Sequence, residues 1–226
     1  MTNKICASAL EAVNDVADGA TLLVGGFSGA GVPETLIGAL LDHGAKELTI
    51  VHNNAGNARL GVARLLEAGR VRKVICSFPR SWESDIFEGL YKAFRVELEC
   101  VPQGTLAERL RAAGAGLGGF YTPTGYGTLL AEGKETRMID GKGYVFEKAL
   151  RGDFSFVKAR RADRWGNLQY RMTARNFGPV MCMAARTAIV EVGEIMPLGS
   201  LDPECIVTSG AFVQRIVHTQ GCNHDR

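Results

Sequence analysis

The residues with the clearest chemical potential lie between Asp18 and Pro33, where the apolar run Leu22-Leu23-Val24 leads into Gly25-Gly26-Phe27-Ser28-Gly29-Ala30-Gly31. Four of those seven residues are glycine, and Pro33 suits the start of a helix. Glycines leave backbone N–H groups unshielded, and a helix start adds the positive end of its dipole. The chemistry on offer is therefore reception of an anion or of a carbonyl oxygen. No Lys-Ser/Thr pair follows the glycines, so the segment is not a P-loop, and Glu34 stands where a dinucleotide fingerprint needs its third glycine. Taken alone, the same pattern also describes a tight strand–helix turn that binds nothing.

A second polar group, His52-Asn53-Asn54, directly follows the apolar run Leu48 to Val51. It falls at the carboxyl end of a strand, where open α/β sheets place ligand contacts. Asn53 and Asn54 can bond a substrate or hold the glycine loop, while His52, with no acid or nucleophile beside it, reads as structural. Arg80, in the turn Phe78-Pro79-Arg80-Ser81, is either a planar partner for a carboxylate or an exposed charge. Pro102-Gln103-Gly104 precedes Thr105-Leu106-Ala107-Glu108, a capping-box pattern that predicts Thr105 at the N-cap, with Gln103 and Gly104 just before the helix. No carboxylate stands out as a nucleophile. Glu34 and Glu108 suit first helical turns, and Glu132 and Glu135 fall in a polar loop.

The elements that carry these residues repeat one unit. After Leu22 to Val24, a helix opens at Pro33-Glu34 with Leu36, Ile37, Leu40 and Leu41 on one side and Gly44 just past its end. A strand from Leu48 to Val51 is followed by a helix from Ala58 to Ala68, with Gly69 as its stop. A third strand, Lys73 to Ser77, leads to a helix from Trp82 to Phe94 with Phe87, Leu90, Tyr91 and Phe94 inward. Val96, Leu98 and Cys100 alternate with Glu97 and Glu99 as in a half-exposed strand. The alternation predicts an α/β fold with a largely parallel sheet flanked by helices.

From about residue 114 the pattern turns to short strands. A hairpin tip falls at Asp140-Gly141, strands at Phe154 to Ala159, Leu168 to Arg171 and Thr187 to Val192, and a turn at Asp163 to Asn167. Met181 and Met183, flanking Cys182, read as core filling. With no linker-like stretch, residues 1–226 read as a single domain. Its α/β half spans about 1–113 and a smaller, more β-rich half about 114–218, with a polar tail beyond His218.

Composition excludes several function classes. The 226 residues are 46% hydrophobic, enough for a substantial core, and 26 Lys and Arg against 24 Asp and Glu leave a net charge of +2. That is too weak a field to predict a nucleic-acid or membrane partner. The six cysteines are scattered without metal-binding spacing, so no metal is expected and free thiols in a reducing compartment are. The start of the chain lacks a signal-peptide apolar core, and no apolar run nears the roughly 18 residues that span a bilayer. A cytoplasmic location is expected.

The segment from Asp18 to Pro33 resembles the signature of the family I CoA-transferases: Asp-Gly, two variable residues, three apolar residues, then Gly-Gly-Phe-x-x-x-Gly-x-Pro. The likeness extends through His52 to Asn57, Val101 to Arg109, Tyr121 to Thr128, Ala131 to Glu135 and Ala174-Arg175-Asn176-Phe177, nearly the whole chain. It implies a fold related to that of ribose-5-phosphate isomerase. It further implies a non-nucleophilic α-type subunit whose β-type partner supplies a glutamate from a Ser-Glu-Asn-Gly motif, absent here, in an α2β2 or related oligomer.

In such enzymes the glutamate attacks an acyl-CoA, passes through an acyl anhydride and becomes a glutamyl-CoA thioester. No permanently bound cofactor is implied; the coenzyme A thioester is a substrate. The resemblance gives Gln103 the role of oxyanion donor and sets the loop from Gly25 to Gly31, with Asn53, Asn54 and Gly104, around the thioester. Cys76 to Arg80 and Asp163 to Leu168 resemble the members that exchange CoA between succinate and 3-oxoadipate more than the acetoacetate ones. On that likeness Arg80 would meet the distal carboxylate of a dicarboxylic substrate. Acetoacetate or acetate transferases are the nearer alternatives, and a self-sufficient sugar-phosphate isomerase the more distant one. The aromatic and glycine-rich stretch from Phe120 to Gly127 is the expected part of the subunit interface.

Overall fold

In the computed structural model, which describes residues 3–80 and 83–219, each apolar run of the first hundred residues becomes a parallel strand. The chain runs α1 (Ala9–Ala12), β1 (Thr21–Val24), α2 (Glu34–His43), β2 (Leu48–Val51), α3 (Val62–Glu67), β3 (Val71–Cys76), α4 (Asp85–Lys92), β4 (Glu97–Cys100) and α5 (Gln103–Gly114). It continues through β5 (Gly119–Thr122), β6 (Thr136–Ile139), β7 (Lys142–Lys148), β8 (Gly152–Asp163), β9 (Leu168–Gln169), α6 (Gly178–Ala184), β10 (Ala185–Met196) and β11 (Arg215–His218).

The main sheet has the order β11-β10-β8-β1-β2-β3-β4, with β9 paired antiparallel to β8. Strand order reverses at β1: later strands spread to β4 on one side, while β8, β10 and β11 spread on the other. Residues Gly119–Lys148 supply the smaller antiparallel sheet, β5-β7-β6. The more β-rich sequence from about residue 114 is thus divided, since β8, β10 and β11 complete the main sheet rather than join the small one.

Both faces of the sheet are covered at its centre, which explains why β1 and β2 are almost continuously apolar. Leu22, Val24 and Ile50 point into one core with Leu36, Ile37 and Leu40 of α2, Leu65 of α3 and Phe87 of α4. Leu23 and Val51 point into the other, with Leu106 and Leu110 of α5 and Met181 and Cys182 of α6. Each fully buried leucine of this kind contributes about 1.5–3 kcal/mol. The two cores fix the carboxyl ends of β1 to β4 relative to one another. At the far hairpin, Asp140 (φ 50) and Gly141 (φ 76) form the expected tip between β6 and β7.

Several element ends differ from those predicted. The helix expected from Ala58 begins at Val62, because Ala58 (φ 49) and Gly61 (φ 55) hold a non-helical turn first. Of the helix predicted from Trp82 to Phe94, Trp82 lies outside the described residues, as does Ser81 of the turn before it, and the helix spans Asp85–Lys92. Phe94, at φ 56, is 97% exposed and Tyr91 48% exposed, so neither is an inward residue. The strand predicted over Leu168 to Arg171 is the two-residue β9. Most consequentially, α5 starts at Gln103, with Pro102 as N-cap and no side-chain cap bond; the Leu106 N–H bonds Pro102 O at 2.8 Å. Thr105 is buried inside the helix and Glu108 pairs with Arg111, so no capping box forms.

Candidate active site

The glycine loop leaves the carboxyl end of β1, where the strand order reverses and open α/β sheets leave a crevice. Its tip is one two-residue turn, Ser28-Gly29, closed by a reciprocal pair of bonds, Phe27 N–H to Ala30 O (3.0 Å) and Ala30 N–H to Phe27 O (2.9 Å). Gly25 and Gly26 are buried, while Phe27, Ser28 and Gly29 are exposed. Glycine is required at two positions in particular. At Gly26 (φ 125) a Cβ would lie 2.7 Å from Val32 Cγ2, and at Gly31 (φ 72) it would lie 2.5 Å from the Ala174 carbonyl oxygen.

Asn176, rather than Asn53 or Asn54, holds this loop. Its Oδ1 accepts from the Gly26 N–H at 3.0 Å and its Nδ2 donates to Ala30 O at 3.0 Å, tying both ends from the segment before α6. Asn54 instead accepts the Gly56 N–H at 2.8 Å in a local turn. His52 is buried, with Nδ1 2.8 Å from Val24 O. Burial pushes its pKa below the usual histidine range, against the opposing pull of that carbonyl, so it serves as a neutral spacer under the loop.

Asn53 organises the other half of the site. Its backbone oxygen accepts the N–H groups of Ser77 and Phe78, joining the ends of β2 and β3. Its Oδ1 accepts from Gln103 Nε2 at 2.6 Å, and Ser77 Oγ lies 3.2 Å away. A carboxamide carries two N–H donors, so Gln103 spends one on Asn53 and keeps one without a partner among the described residues, at the exposed start of α5. Nothing within 4 Å would meet a Cβ at Gly104, which leaves the helix start open to an approaching group. Arg80 is set apart: its side chain is 83% exposed and its Nε pairs with Glu88 Oε1 at 3.2 Å.

Other ionisable groups are committed elsewhere. Glu34 accepts the Gly61 N–H at 2.7 Å and pairs with Arg64, which fastens α2 to α3. Glu135 accepts from the Tyr121 hydroxyl and pairs with Arg137. Burial pushes the thiols of Cys76 and Cys182 up to about 12, which disqualifies both as nucleophiles. Glu191 on β10 is also buried, with its Oε2 accepting the N–H groups of Thr35 and Leu36 at 2.9 and 3.1 Å. This carboxylate, from a distant strand, caps α2 directly after the glycine loop.

Residues 6–219 match the Coenzyme A transferase family. The chain belongs to that family. It is 58% identical over 221 residues to a 3-oxoadipate CoA-transferase subunit of Pseudomonas putida, covering 98% of this chain and 96% of that protein. It is also 53% identical to a succinyl-CoA:3-ketoacid coenzyme A transferase subunit of Xanthomonas campestris pv. campestris (strain B100), covering 89% of this chain and 83% of that one. Among solved structures, the acyl-CoA transferase of E. coli O157:H7 in its thioester complex with CoA superposes with a TM-score of 0.84 at 24% identity. That match covers 96% of this chain and 47% of the longer one, and shows the same fold.

As a CoA-transferase subunit, the chain presents hydrogen-bond donors at the carboxyl ends of its central strands. Around the loop and Gln103 the structure gathers Asn53, Ser77 and Asn176, and no carboxylate is among them. Ser77 and Asn176 were not singled out from the sequence as site residues. Asn176 was visible only as part of the family-like run Ala174 to Phe177. Among the described residues no helix is long and apolar enough to cross a membrane.

Proposed function

We propose that this chain is the α-type subunit of an enzyme that moves CoA from succinyl-CoA to 3-oxoadipate, using a glutamate of a β-type partner as nucleophile. The observation that carries the reading is the Gln103 amide: Asn53 fixes it by one N–H and leaves the other free at the carboxyl edge of the sheet, beside the glycine loop. The identity to the Pseudomonas putida protein supports the choice of acids.

In this mechanism the partner's carboxylate, from its Ser-Glu-Asn-Gly motif, attacks the thioester carbonyl of succinyl-CoA. The carbonyl oxygen gains negative charge as the tetrahedral species forms, and the free Gln103 N–H donates to it. Collapse expels the CoA thiolate and leaves an acyl anhydride. The thiolate then attacks the glutamyl carbonyl, giving the glutamyl-CoA thioester and free succinate. 3-Oxoadipate repeats the steps in reverse. Gly25 to Gly31, Asn53, Asn54 and Gly104 shape the pocket that keeps water from the anhydride. The CoA thioester is a substrate, and no permanently bound cofactor takes part. Arg80 turns from Glu88 to the distal carboxylate of the diacid. The assembly is α2β2 or a related oligomer in the cytoplasm, with residues 1–226 acting as one domain and Phe120 to Gly127 in the subunit interface.

The identity to a 3-ketoacid transferase chain favours acetoacetate as the competing acceptor. The test is to assay this chain alone, the β-type chain alone, and the two together, with succinyl-CoA and either acceptor. Turnover by the pair only, with kcat/KM higher for 3-oxoadipate than for acetoacetate, is expected. Turnover by this chain alone, or a preference for acetoacetate, contradicts the reading.

A further inference from the structure

The main sheet ends on one side at β4, whose outer edge has no neighbouring strand in the chain. Beside that edge, the turn out of α4 places a phenylalanine where helices ordinarily place glycine. The Phe94 N–H bonds Tyr91 O at 3.0 Å and the Arg95 N–H bonds Leu90 O at 2.9 Å, with Phe94 itself at φ 56. Glycine would hold this left-handed turn without strain. The phenylalanine gains nothing from the core in exchange, since it is 97% exposed. A strained position that carries a projecting aromatic ring points to a partner outside the chain.

Next to the ring lies an open groove of about 650 Å³, walled by Tyr91, Lys92, Phe94, Val96, Glu97 and Leu98. Its aromatic wall is supported from below: the Tyr91 ring stacks on buried Phe87, with centroids 5.8 Å apart and planes 18° from parallel. A projecting ring beside an apolar groove suits a contact between identical surfaces, because a twofold axis sends each Phe94 into the groove of the other copy. The charges are self-complementary in the same way. Arg95 and Glu97 flank Val96, both are exposed, and neither side chain has a partner among the described residues. One unpaired charge of each sign lets the same twofold axis bring Arg95 of one copy to Glu97 of the other, twice.

A β-type partner fits this face less well. Its glutamate must reach Gln103 and Asn53 at the carboxyl ends of the strands, whereas Phe94 and Glu97 lie at the amino end of β4. That comparison rests on the reading of the chain as a CoA-transferase subunit completed by a partner's glutamate; the self-complementarity of the patch does not.

We propose that two copies of this chain associate through a twofold contact at this face, each Phe94 seated in the groove of the other, with two reciprocal Arg95–Glu97 ion pairs. In the enzyme the contact joins two pairs of unlike chains and covers the open edge of β4 in each.

The test is sedimentation equilibrium of the full chain, alone and in complex with its β-type partner. The wild-type chain is expected to self-associate without partner or substrate. Phe94→Gly suits the left-handed turn, so Tm should stay near the wild-type value while self-association weakens about tenfold or more. Arg95→Glu and Glu97→Arg should each weaken it by setting like charges together. A mixture of those two variants should associate as the unlike pair, because both contacts then join opposite charges. A wild-type chain that stays monomeric at every concentration, Phe94→Gly association equal to wild type, or no recovery on mixing the charge variants overturns the proposal. So does a Phe94→Gly chain that self-associates but no longer binds the β-type partner, which would give the face to that partner. A self-associating wild-type chain whose complex is inactive supports the contact and overturns the functional reading alone.

Discussion

Truncating Gln103 to alanine removes the side-chain donor to which the proposed mechanism assigns the developing oxyanion. One of its N–H groups is fixed on Asn53 Oδ1 at 2.6 Å, so the free N–H is oriented before substrate arrives and no reorganisation is needed as charge develops. Loss of one such donor costs about 2.7–4 kcal/mol of transition-state stabilisation, a fall in kcat of about 10²–10³. The fold should barely respond. Gln103 is exposed in the first turn of α5, alanine is a good helix former, and Asn53 Oδ1 keeps Ser77 Oγ nearby, so less than about 1 kcal/mol of stability is at stake. Steady-state kinetics of the assembled complex measure the effect, with KM for succinyl-CoA expected to change little because the bond matters only in the transition state. Gln103→Glu sets an acceptor against the Asn53 acceptor and a negative charge beside the oxyanion, and should be at least as damaging. A Gln103→Ala complex that assembles normally with kcat within about threefold of wild type would refute the oxyanion role.

Three further outcomes follow from the same geometry. Gly31→Ala forces a Cβ to 2.5 Å from a backbone oxygen at φ 72 and should cost roughly 2–4 kcal/mol in urea unfolding. Gly29→Ala, at φ 89 with nothing nearby, should cost only about 1–2 kcal/mol; equal costs would contradict the role given to packing. Burial raises the Glu191 pKa to about 7 against the opposing Leu36 N–H, Lys158 and Thr35 N–H, with Glu34 adding to the rise. The folded state thus binds this proton more readily than the unfolded one. The stabilisation, at most roughly 3 kcal/mol, is present below the ordinary carboxylate pKa and is lost as pH rises through about 7. Glu191→Gln keeps an acceptor for both α2 N–H groups and should flatten the fall in Tm between about pH 5 and 8; an unchanged slope would show the carboxyl is not its source. Arg80→Ala should lower the preference for 3-oxoadipate over acetoacetate by about tenfold, and an unchanged ratio removes Arg80 from substrate recognition.

The parallel strands and the helices between them were legible because burial on both faces writes unbroken apolar runs such as Leu22 to Val24, and α2 keeps a clear apolar face. Boundaries were less legible where a loop residue takes positive φ. Ala58 and Phe94 carry no signal for it, so α3 starts late and α4 ends early. At α5 the pattern from Thr105 to Glu108 misled, because Pro102 already fixes an extended entry and the helix begins one residue later. The return of β8, β10 and β11 to the main sheet depends on pairings more than a hundred residues apart for β1 and β8, which no local pattern encodes. The same holds for the site: the glycine loop was visible as composition, but Asn176 reaches it from 150 residues away. Gln103 was found through family likeness, while its bond to Asn53 joins two motifs that the sequence shows only separately.

The central claim is that this chain stabilises the reaction while another chain performs the covalent step. It is tested most directly by mixing the chain with its β-type partner and succinyl-CoA, without acceptor, and measuring the intact mass of each chain after separation. A CoA adduct is expected on the partner alone, at the glutamate of Ser-Glu-Asn-Gly, released by hydroxylamine and by added 3-oxoadipate. An adduct on this chain, or an adduct formed when the partner is left out, would contradict the claim.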